Sequence, residues 1–155
     1  MIVIRKATKD DLAKILSLMR QLIEEHQVLD NYYKSFTQYQ GLRDYVLKSI
    51  KNRSKLLLVA EVGGRVAAYF IGAIEPAPFY SVAKKIGVVA DTSVDKSFRR
   101  QGILKMLFQE ALRWFKKKKV NYIELSVDLR NKVGVAAWEK LGFVGYKIRM
   151  RRAWR

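Results

Sequence analysis

The sequence contains no cysteine, a single histidine (His26), two prolines and no apolar run of membrane-spanning length. Without cysteine there is no disulfide framework, no thiolate metal site and no cysteine nucleophile. The opening "MIVIRKATKDDLAKI" lacks the apolar core and small-residue cleavage site of a secretory signal. No stretch approaches the ~20 apolar residues of a membrane helix. These absences give the expectation of a soluble, cytoplasmic chain with no membrane partner and no metal. Acidic residues are scarce as well: 14 against 31 Lys and Arg in 155 residues, a formal net charge of +17. No repeat or low-complexity linker interrupts the chain, and its length suits one domain over residues 1–155.

The positive charge is lopsided. Residues 1–95 hold 14 basic and 10 acidic side chains, whereas residues 96–155 hold 17 and 4. A field of that sign attracts phosphates, nucleic acid or acidic proteins. The plain alternative is a solvated basic surface, as in lysine-rich or heat-adapted proteins. The lysines at 116–119 end a helix pattern, where cations suit the dipole.

"MIVIRKA" alternates apolar and polar residues, as a half-buried strand does. Thr8, with Asp11 three residues on, forms a capping-box-like pair before a helix. Its apolar face is Leu12, Ile15, Leu16, Met19, Leu22 and Ile23. "LDNYYKSFTQYQ" has no period and reads as a loop, and "GLRDYVLKSIKNR" returns to helical spacing through Leu42, Tyr45, Val46 and Ile50. "KLLLVAEVGGRVAAYFIGAIEP" reads as a hairpin about Gly63-Gly64, because tight hairpin turns need positive φ. "KIGVVADTSV" and "VNYIELSVDLRN" read as strands, the second with Ile123, Leu125 and Val127 on one face. "KVGVAAWEKLG" reads as a short helix with Gly142 as its left-handed cap. "FVGYKIRMRR" predicts a closing strand, with Val144, Tyr146, Ile148 and Met150 on one face and Lys147, Arg149 and Arg151 on the other. The order β-α-α-β-β-β-α-β-α-β predicts an α/β (α+β) fold. Its centre is a mixed, mainly antiparallel sheet flanked by helices, not a doubly wound parallel sheet.

"SVDKSFRRQGILKMLFQEALRWF" passes from a strand through two arginines and a glycine into an apolar helix. A helix start leaves backbone N–H groups unpaired and carries partial positive charge. A glycine there lets an anion come close to the backbone, and Arg99 and Arg100 add donors suited to phosphate. "RRQGIL" therefore reads either as a pyrophosphate cradle or as a plain strand-to-helix turn with charged flanks. It is neither a Walker loop, which ends in Gly-Lys-Ser/Thr, nor a dinucleotide fingerprint, which needs further glycines.

At this point the chain resembles the GNAT superfamily of acyl-CoA-dependent N-acyltransferases. The signature Arg/Gln-x-x-Gly-x-Gly/Ala follows an apolar strand end; here it is Val94, then Arg99-Arg100-Gln101-Gly102-Ile103-Leu104. A second segment, "IELSVDLRNKVGVAAWEKLGF", matches the family's strand, Asn, short helix and Gly-Phe, with Asn131, Ala137 and Gly142-Phe143. The resemblance implies a GNAT-like fold with acetyl-CoA as co-substrate. Backbone amides of Gln101, Gly102, Ile103 and Leu104 would hold the pyrophosphate. Ser93 and Val94 would pair with the pantetheine arm, and Asn131 would sit near the cofactor. Arg100 and Lys105 would suit its phosphate charges.

The chain departs from the family pattern at several positions. Leu104 stands where glycine or alanine is usual, and its spacing also fits a core face with Phe108, Leu112 and Phe115. Trp138 occupies the place of the tyrosine that protonates the departing thiolate in many members. An indole N–H donates a hydrogen bond but is not a usable acid near neutral pH. Trp138 then reads as a packing residue or a wall of the CoA channel. Tyr122 and Tyr146, on predicted strands nearby, read more readily as ordinary aromatics than as a replacement acid. For the proton-accepting carboxylate, often a glutamate of the fourth strand, "GVVADTSV" offers Asp91. If Ala90 takes the family position, strand alternation turns Asp91 to the wrong side. Glu61, Glu75 and Asp95 are weaker candidates. His26, Asp30, Tyr32 and Tyr33 follow the first helix, which in this fold borders the acceptor site, and become candidates for acceptor recognition; ordinary surface roles fit them as well.

The resulting expectation is an acetyltransferase moving an acetyl group from acetyl-CoA to a primary amine by direct attack. The acceptor is unidentified, and an acidic or nucleic-acid-associated protein is among the candidates; a homodimer is among the assemblies allowed. The rivals are a basic module binding nucleic acid or acidic protein, and a CoA-binding pseudo-enzyme, both on the same fold.

Overall fold

The structure, a computed structural model, describes residues 1–154. The elements run β1 (Ile2–Lys6), α1 (Leu12–Leu29), α2 (Leu42–Lys51), β2 (Lys55–Val62), β3 (Arg65–Pro76), β4 (Lys85–Val94), α3 (Ile103–Lys117), β5 (Ile123–Glu124) and α4 (Lys132–Lys140). They build one sheet in the order β1-β2-β3-β4-β5, antiparallel throughout except for the parallel β4–β5 pair. This is the mixed α/β architecture that the element order predicted.

Local chemistry sets the element ends. Asp11 accepts from the Thr8 N–H at 2.8 Å and takes a bidentate grip from Arg5 at 2.8 and 2.9 Å, fixing the short 3-10 turn before α1. Gly63 and Gly64 have φ of 55° and 78°, so the β2–β3 hairpin closes on two left-handed residues. At the end of α4, Gly142 has φ 92°, its N–H bonds the Glu139 carbonyl at 3.0 Å, and the Phe143 N–H bonds the Trp138 carbonyl at 3.1 Å. These two bonds make a Schellman motif, and the Trp138–Phe143 ring contact completes it.

Burial follows the two faces of the sheet. On one side α3 and α4 pack Leu107, Phe108, Ala111, Phe115 and Trp138 against Leu58, Phe70 and Val89. On the other, α1 and α2 pack Ile15, Leu18, Met19 and Val46 against Leu57, Val59, Tyr69 and Ile71. Leu18 belongs to this core although the predicted face omitted it, whereas Leu112, expected in the α3 core, is 40% exposed. Gly87 is required by a close approach: a Cβ there would lie 2.6 Å from the Phe115 ring. Seating that ring contributes roughly 2–3 kcal/mol of apolar burial.

Two features position the site. The β3–β4 register slips between Ile71 and Gly72: Ile71 faces Asp91 and Gly72 faces Val89, leaving Ala90 as a bulge. Asp91 therefore shares a face with Ile71 and Tyr69, toward α1 and α2. The bulge overrides the strict alternation that would have given Asp91 the same face as Val89. In addition, β4 and β5 pair only at Gly87–Ile123 and Val88–Glu124. Beyond that point they no longer pair, and the β4 edge from Val89 to Val94 is left as an open wedge in the ladder.

The closing strand is a correction. Residues 143–154 form no strand, and Val144, Tyr146, Ile148 and Met150 are all exposed. A strand needs a ladder as well as a period, and β5 offers only two residues. Arg151 goes instead to Asp30, at 2.9 Å. The strand expected across "VNYIELSVDLRN" likewise shortens to Ile123–Glu124, although Ile123, Leu125 and Val127 do pack together against the α3-side core.

Candidate active site

At the end of β4, the Val94 carbonyl accepts from Arg99 Nε at 3.0 Å and from Gln21 Nε2 at 3.4 Å. Arg99 also bonds Glu25 of α1 at 2.7 Å, with Lys96 at 3.6 Å from the same carboxylate. Asp95 accepts from the Ser97 N–H and hydroxyl and from Lys14. The turn is thus tied to α1 and β4 by side chains, while its outer surface stays open. Arg100 (φ 64°) and Gly102 (φ 77°) are left-handed, and a Cβ on Gly102 would meet nothing within 4 Å. The first intrahelical bond of α3 runs from the Met106 N–H to the Gly102 carbonyl at 3.1 Å. The N–H groups of Ile103, Leu104 and Lys105 precede it and have no helical partner. Arg100, Gln101 and Lys105 are exposed around them. An open backbone concavity with unpaired donors and flanking cations is chemically suited to a phosphate group. Leu104 is partly buried against the α3-side core, so its side chain leaves that concavity free.

Nearer the wedge, Asp91 Oδ2 accepts from the Tyr69 hydroxyl at 2.9 Å, and Tyr69 is fully buried. Burial pushes the Asp91 carboxyl above the usual range; the Tyr69 hydrogen bond, the Thr92 backbone N–H and the His26 charge pull the other way. Burial, reinforced by the Asp91 charge, also pushes the Tyr69 phenol well up. The Tyr45 phenol is raised as well, by burial and then by the charges of Asp91 and Glu75. The His26 ring lies 5.6 Å from Tyr33, between centroids. Ser93 is buried and its hydroxyl has no partner among the described residues.

Other candidates sit differently. Asp30 is held by Arg130 and Arg151, each at 2.9 Å, and Arg151 lies 3.8 Å above the Tyr32 ring. The Arg130 guanidinium, helped by the Tyr32 N–H, holds the Asp30 carboxyl down at about 2. Asp30 and Tyr32 therefore belong to a cation cluster that anchors the C-terminal segment, whereas the charge of His26 reaches Asp91 and the Tyr33 ring lies beside His26. Asn131 caps α4, accepting from the Gly134 N–H at 2.9 Å. Glu61 is bound by Arg5 at 3.0 Å, and Asp95 is committed to Lys14 and Ser97. Trp138 is buried in an aromatic cluster, 5.9 Å from Phe108 and 5.3 Å from Phe143 between centroids. Tyr122 and Tyr146 are exposed. Tyr69, Tyr45, Gln21 and Glu25 were not among the site residues expected from the sequence, where Tyr45 figures only on a helix face. Tyr69 in "VAAYFIG" reads as one more core aromatic until the bulge brings Asp91 to it.

The model of the acetyltransferase (GNAT) family matches residues 16–143. The chain belongs to the GNAT family. Acetyl transfer is the class of chemistry that this family carries. The chain is also 27% identical over 146 residues to an uncharacterised N-acetyltransferase of Methanocaldococcus jannaschii, covering 90% of this chain. It spans only 59% of the length of that relative. Among solved structures, a mutant of the BH1408 protein of Bacillus halodurans superposes with a TM-score of 0.89 at 22% identity, over 99% of both chains. The aminoglycoside 6'-N-acetyltransferase AAC(6')-Ih of Acinetobacter baumannii gives 0.79 at 17% identity, over 100% of this chain and 99% of its own. AAC(6')-Iy, solved with the bisubstrate analogue CoA-S-monomethyl-acetylneamine, gives 0.81 at 16% identity with the same coverage. These likenesses carry the GNAT fold. No helix among the described residues is long and apolar enough to cross a membrane.

Proposed function

We propose that this GNAT protein transfers an acetyl group from acetyl-CoA to a primary amine by direct attack. The observation that carries the reading is the join at the end of β4. A strand splayed from its neighbour runs into a left-handed Arg100–Gly102 turn, and the unpaired N–H groups of α3 open beside it. The N–H groups of Gln101, Gly102, Ile103 and Leu104 would hold the pyrophosphate, with Arg100 and Lys105 balancing its charge. The edge of β4 at Ser93 and Val94 would receive the pantetheine arm; since the Val94 carbonyl is already engaged, its N–H is the group left for this. Acetyl-CoA supplies the activated thioester. Arg99 keeps the turn in place through Glu25 and Val94. Asn131, which caps α4, would sit near the cofactor.

Asp91 is the proton acceptor in this reading. An amine attacks only when neutral, and a free alkylamine has a pKa near ~10.4. A carboxylate with a raised pKa, turned toward α1 and α2 by the bulge, is placed to take that proton. His26, whose charge reaches Asp91, and the adjacent Tyr33 ring would orient the acceptor. The thiolate leaves unassisted, since a thiol pKa near ~8.5 makes the anion an adequate leaving group.

The test pairs calorimetry with a thiol-release assay against a panel of amines, including polyamines, aminoglycosides and peptide N-termini. Submicromolar to micromolar acetyl-CoA binding and amine-dependent CoA release are expected. Tight CoA binding without turnover on any amine would favour a CoA-binding pseudo-enzyme, and absence of CoA binding would overturn the reading.

A further inference from the structure

We infer that Tyr69 is a positioning residue for the transfer reaction, clamping the Asp91 carboxylate so that its remaining oxygen meets the acceptor amine. The inference rests on the reading of Asp91 as the proton acceptor. Its geometry comes from the sheet. Tyr69 lies opposite Ser93 in the β3–β4 register, two residues from the Ile71–Asp91 pair. Without the Ala90 bulge, Asp91 would face α3 and the two side chains could not meet. With the bulge they share a face, and the phenol donates to Oδ2 at 2.9 Å.

A carboxylate without a fixed partner can exchange between rotamers at χ1 and χ2. A donor on a fully buried, rigid ring removes that freedom. With the Tyr69 proton committed to Oδ2, the incoming proton goes to Oδ1, against the pull of the Thr92 N–H, which favours the charged carboxylate. The step balances: the amine nitrogen forms the new N–C bond to the thioester carbonyl carbon, the C–S bond breaks and CoA leaves as the thiolate, and the amine N–H proton passes to Oδ1. Tyr69 exchanges no proton, since burial holds its phenol far above neutral pH. The other titratable groups around Asp91 are His26 from α1 and Tyr45 from α2, with Glu75 acting on Tyr45. His26 favours the charged carboxylate when protonated. Tyr45 has no hydrogen bond to Asp91 among the described residues, which leaves Tyr69 as the direct clamp.

The decisive experiment compares wild type, Tyr69→Phe and Asp91→Asn, with the Asp91 carboxyl followed by carbon-detected NMR titration. Removal of the phenol deletes a bond that favours the charged form. The Asp91 midpoint should rise in Tyr69→Phe by about one pH unit. The acid limb of the kcat profile should move up with it. The kcat plateau should fall about tenfold, with KM for the amine within about twofold. A melting curve reports whether the ring still packs. An unmoved Asp91 midpoint, or a normal kcat in Tyr69→Phe while Asp91→Asn is crippled, would overturn the clamp alone. Normal turnover in Asp91→Asn would overturn the reading of Asp91 as base and the clamp with it. A Tyr69→Phe protein that melts early yet keeps wild-type kcat and midpoint would assign Tyr69 to packing.

Discussion

The two ends of the β4 cleft are built from different materials. The end at Arg99–Leu104 is made of backbone: left-handed residues, a helix start and N–H groups with no partner among the described residues. The end at Asp91 is made of side chains: Tyr69 from β3 bonds its carboxylate directly, and that carboxylate is coupled through charge to His26 from α1 and Tyr45 from α2. Backbone can recognise what is constant in a co-substrate, because nearly any sequence supplies amides. Side chains set what varies, the acceptor and its proton. The contrast predicts that damage at the first end abolishes binding, while damage at the second spares binding and slows turnover.

The largest effect is expected at Gly102. Gly102→Glu puts a carboxylate into the open space where the pyrophosphate is proposed to sit. In the free protein the new Cβ meets nothing within 4 Å, so the fold bears only the left-handed strain, roughly 1–2 kcal/mol. Acetyl-CoA affinity should drop at least a hundredfold in calorimetry, with a cooperative melt retained. Undiminished affinity would mean that the backbone end does not hold the co-substrate.

Next comes Asp91→Asn. General-base catalysis contributes about 10²–10⁴-fold, so kcat should fall by about two orders of magnitude with unchanged acetyl-CoA affinity. Burial raises the Asp91 pKa, so the base form accumulates as pH climbs through that raised value. Wild-type turnover should rise with pH along this limb, and in Asp91→Asn only the limb of the acceptor amine should remain. Loss of acetyl-CoA binding in this variant would erase the division between the two ends.

The backbone end was legible in the sequence, and the side-chain end was legible only in outline. "RRQGIL" between a strand and a helix reads as an open helix start whose glycine lets an anion approach the backbone, and in the structure that glycine is left-handed. The Gly63-Gly64 hairpin and the Gly142 cap were read for the same local reason. Asp91 resisted because its direction depends on one unpaired residue, Ala90, and a bulge leaves no local signature in "GVVADTSV". The final strand was misread for the opposite reason. Its period of two is real, but pairing is a property of the neighbour, and β5 is too short to supply it. Asp30 and Tyr32 were placed near the acceptor by their position after α1. Arg130 and Arg151, a hundred or more residues away, claim them in the structure.

A third test asks whether the basic half serves the co-substrate alone. Few cations reach one CoA, yet residues 96–155 carry 17 basic and 4 acidic side chains. If that surface also recruits an acidic protein or a nucleic acid, affinity should fall roughly tenfold or more between 50 and 200 mM salt. Acetyl-CoA affinity measured in parallel sets the share of salt dependence owed to the cofactor end. Binding of the macromolecule that is absent, or flat with salt, would leave the charge as a solvated surface.

The smallest effect is expected at Trp138, which belongs to neither end. The family's tyrosine would sit here as an acid for the thiolate. The indole is instead buried between Phe108 and Phe143, and its carbonyl closes the α4 cap. Trp138→Phe keeps an aromatic in that cluster and removes only the larger ring and its N–H. Turnover should stay within about threefold of wild type, while stability drops by roughly 1–3 kcal/mol, the usual range for lost core volume. No falling limb at high pH should appear in either protein, since no tyrosine acid needs its proton at this position. Melting and pH-dependent turnover, measured on the same preparations, separate packing from chemistry. If Trp138→Phe melts like wild type but loses a hundredfold in kcat with acetyl-CoA affinity intact, the indole N–H acts on the reacting sulfur. The cleft would then have a third, catalytic component on α4, and its division into a backbone end and a side-chain end would have to be redrawn.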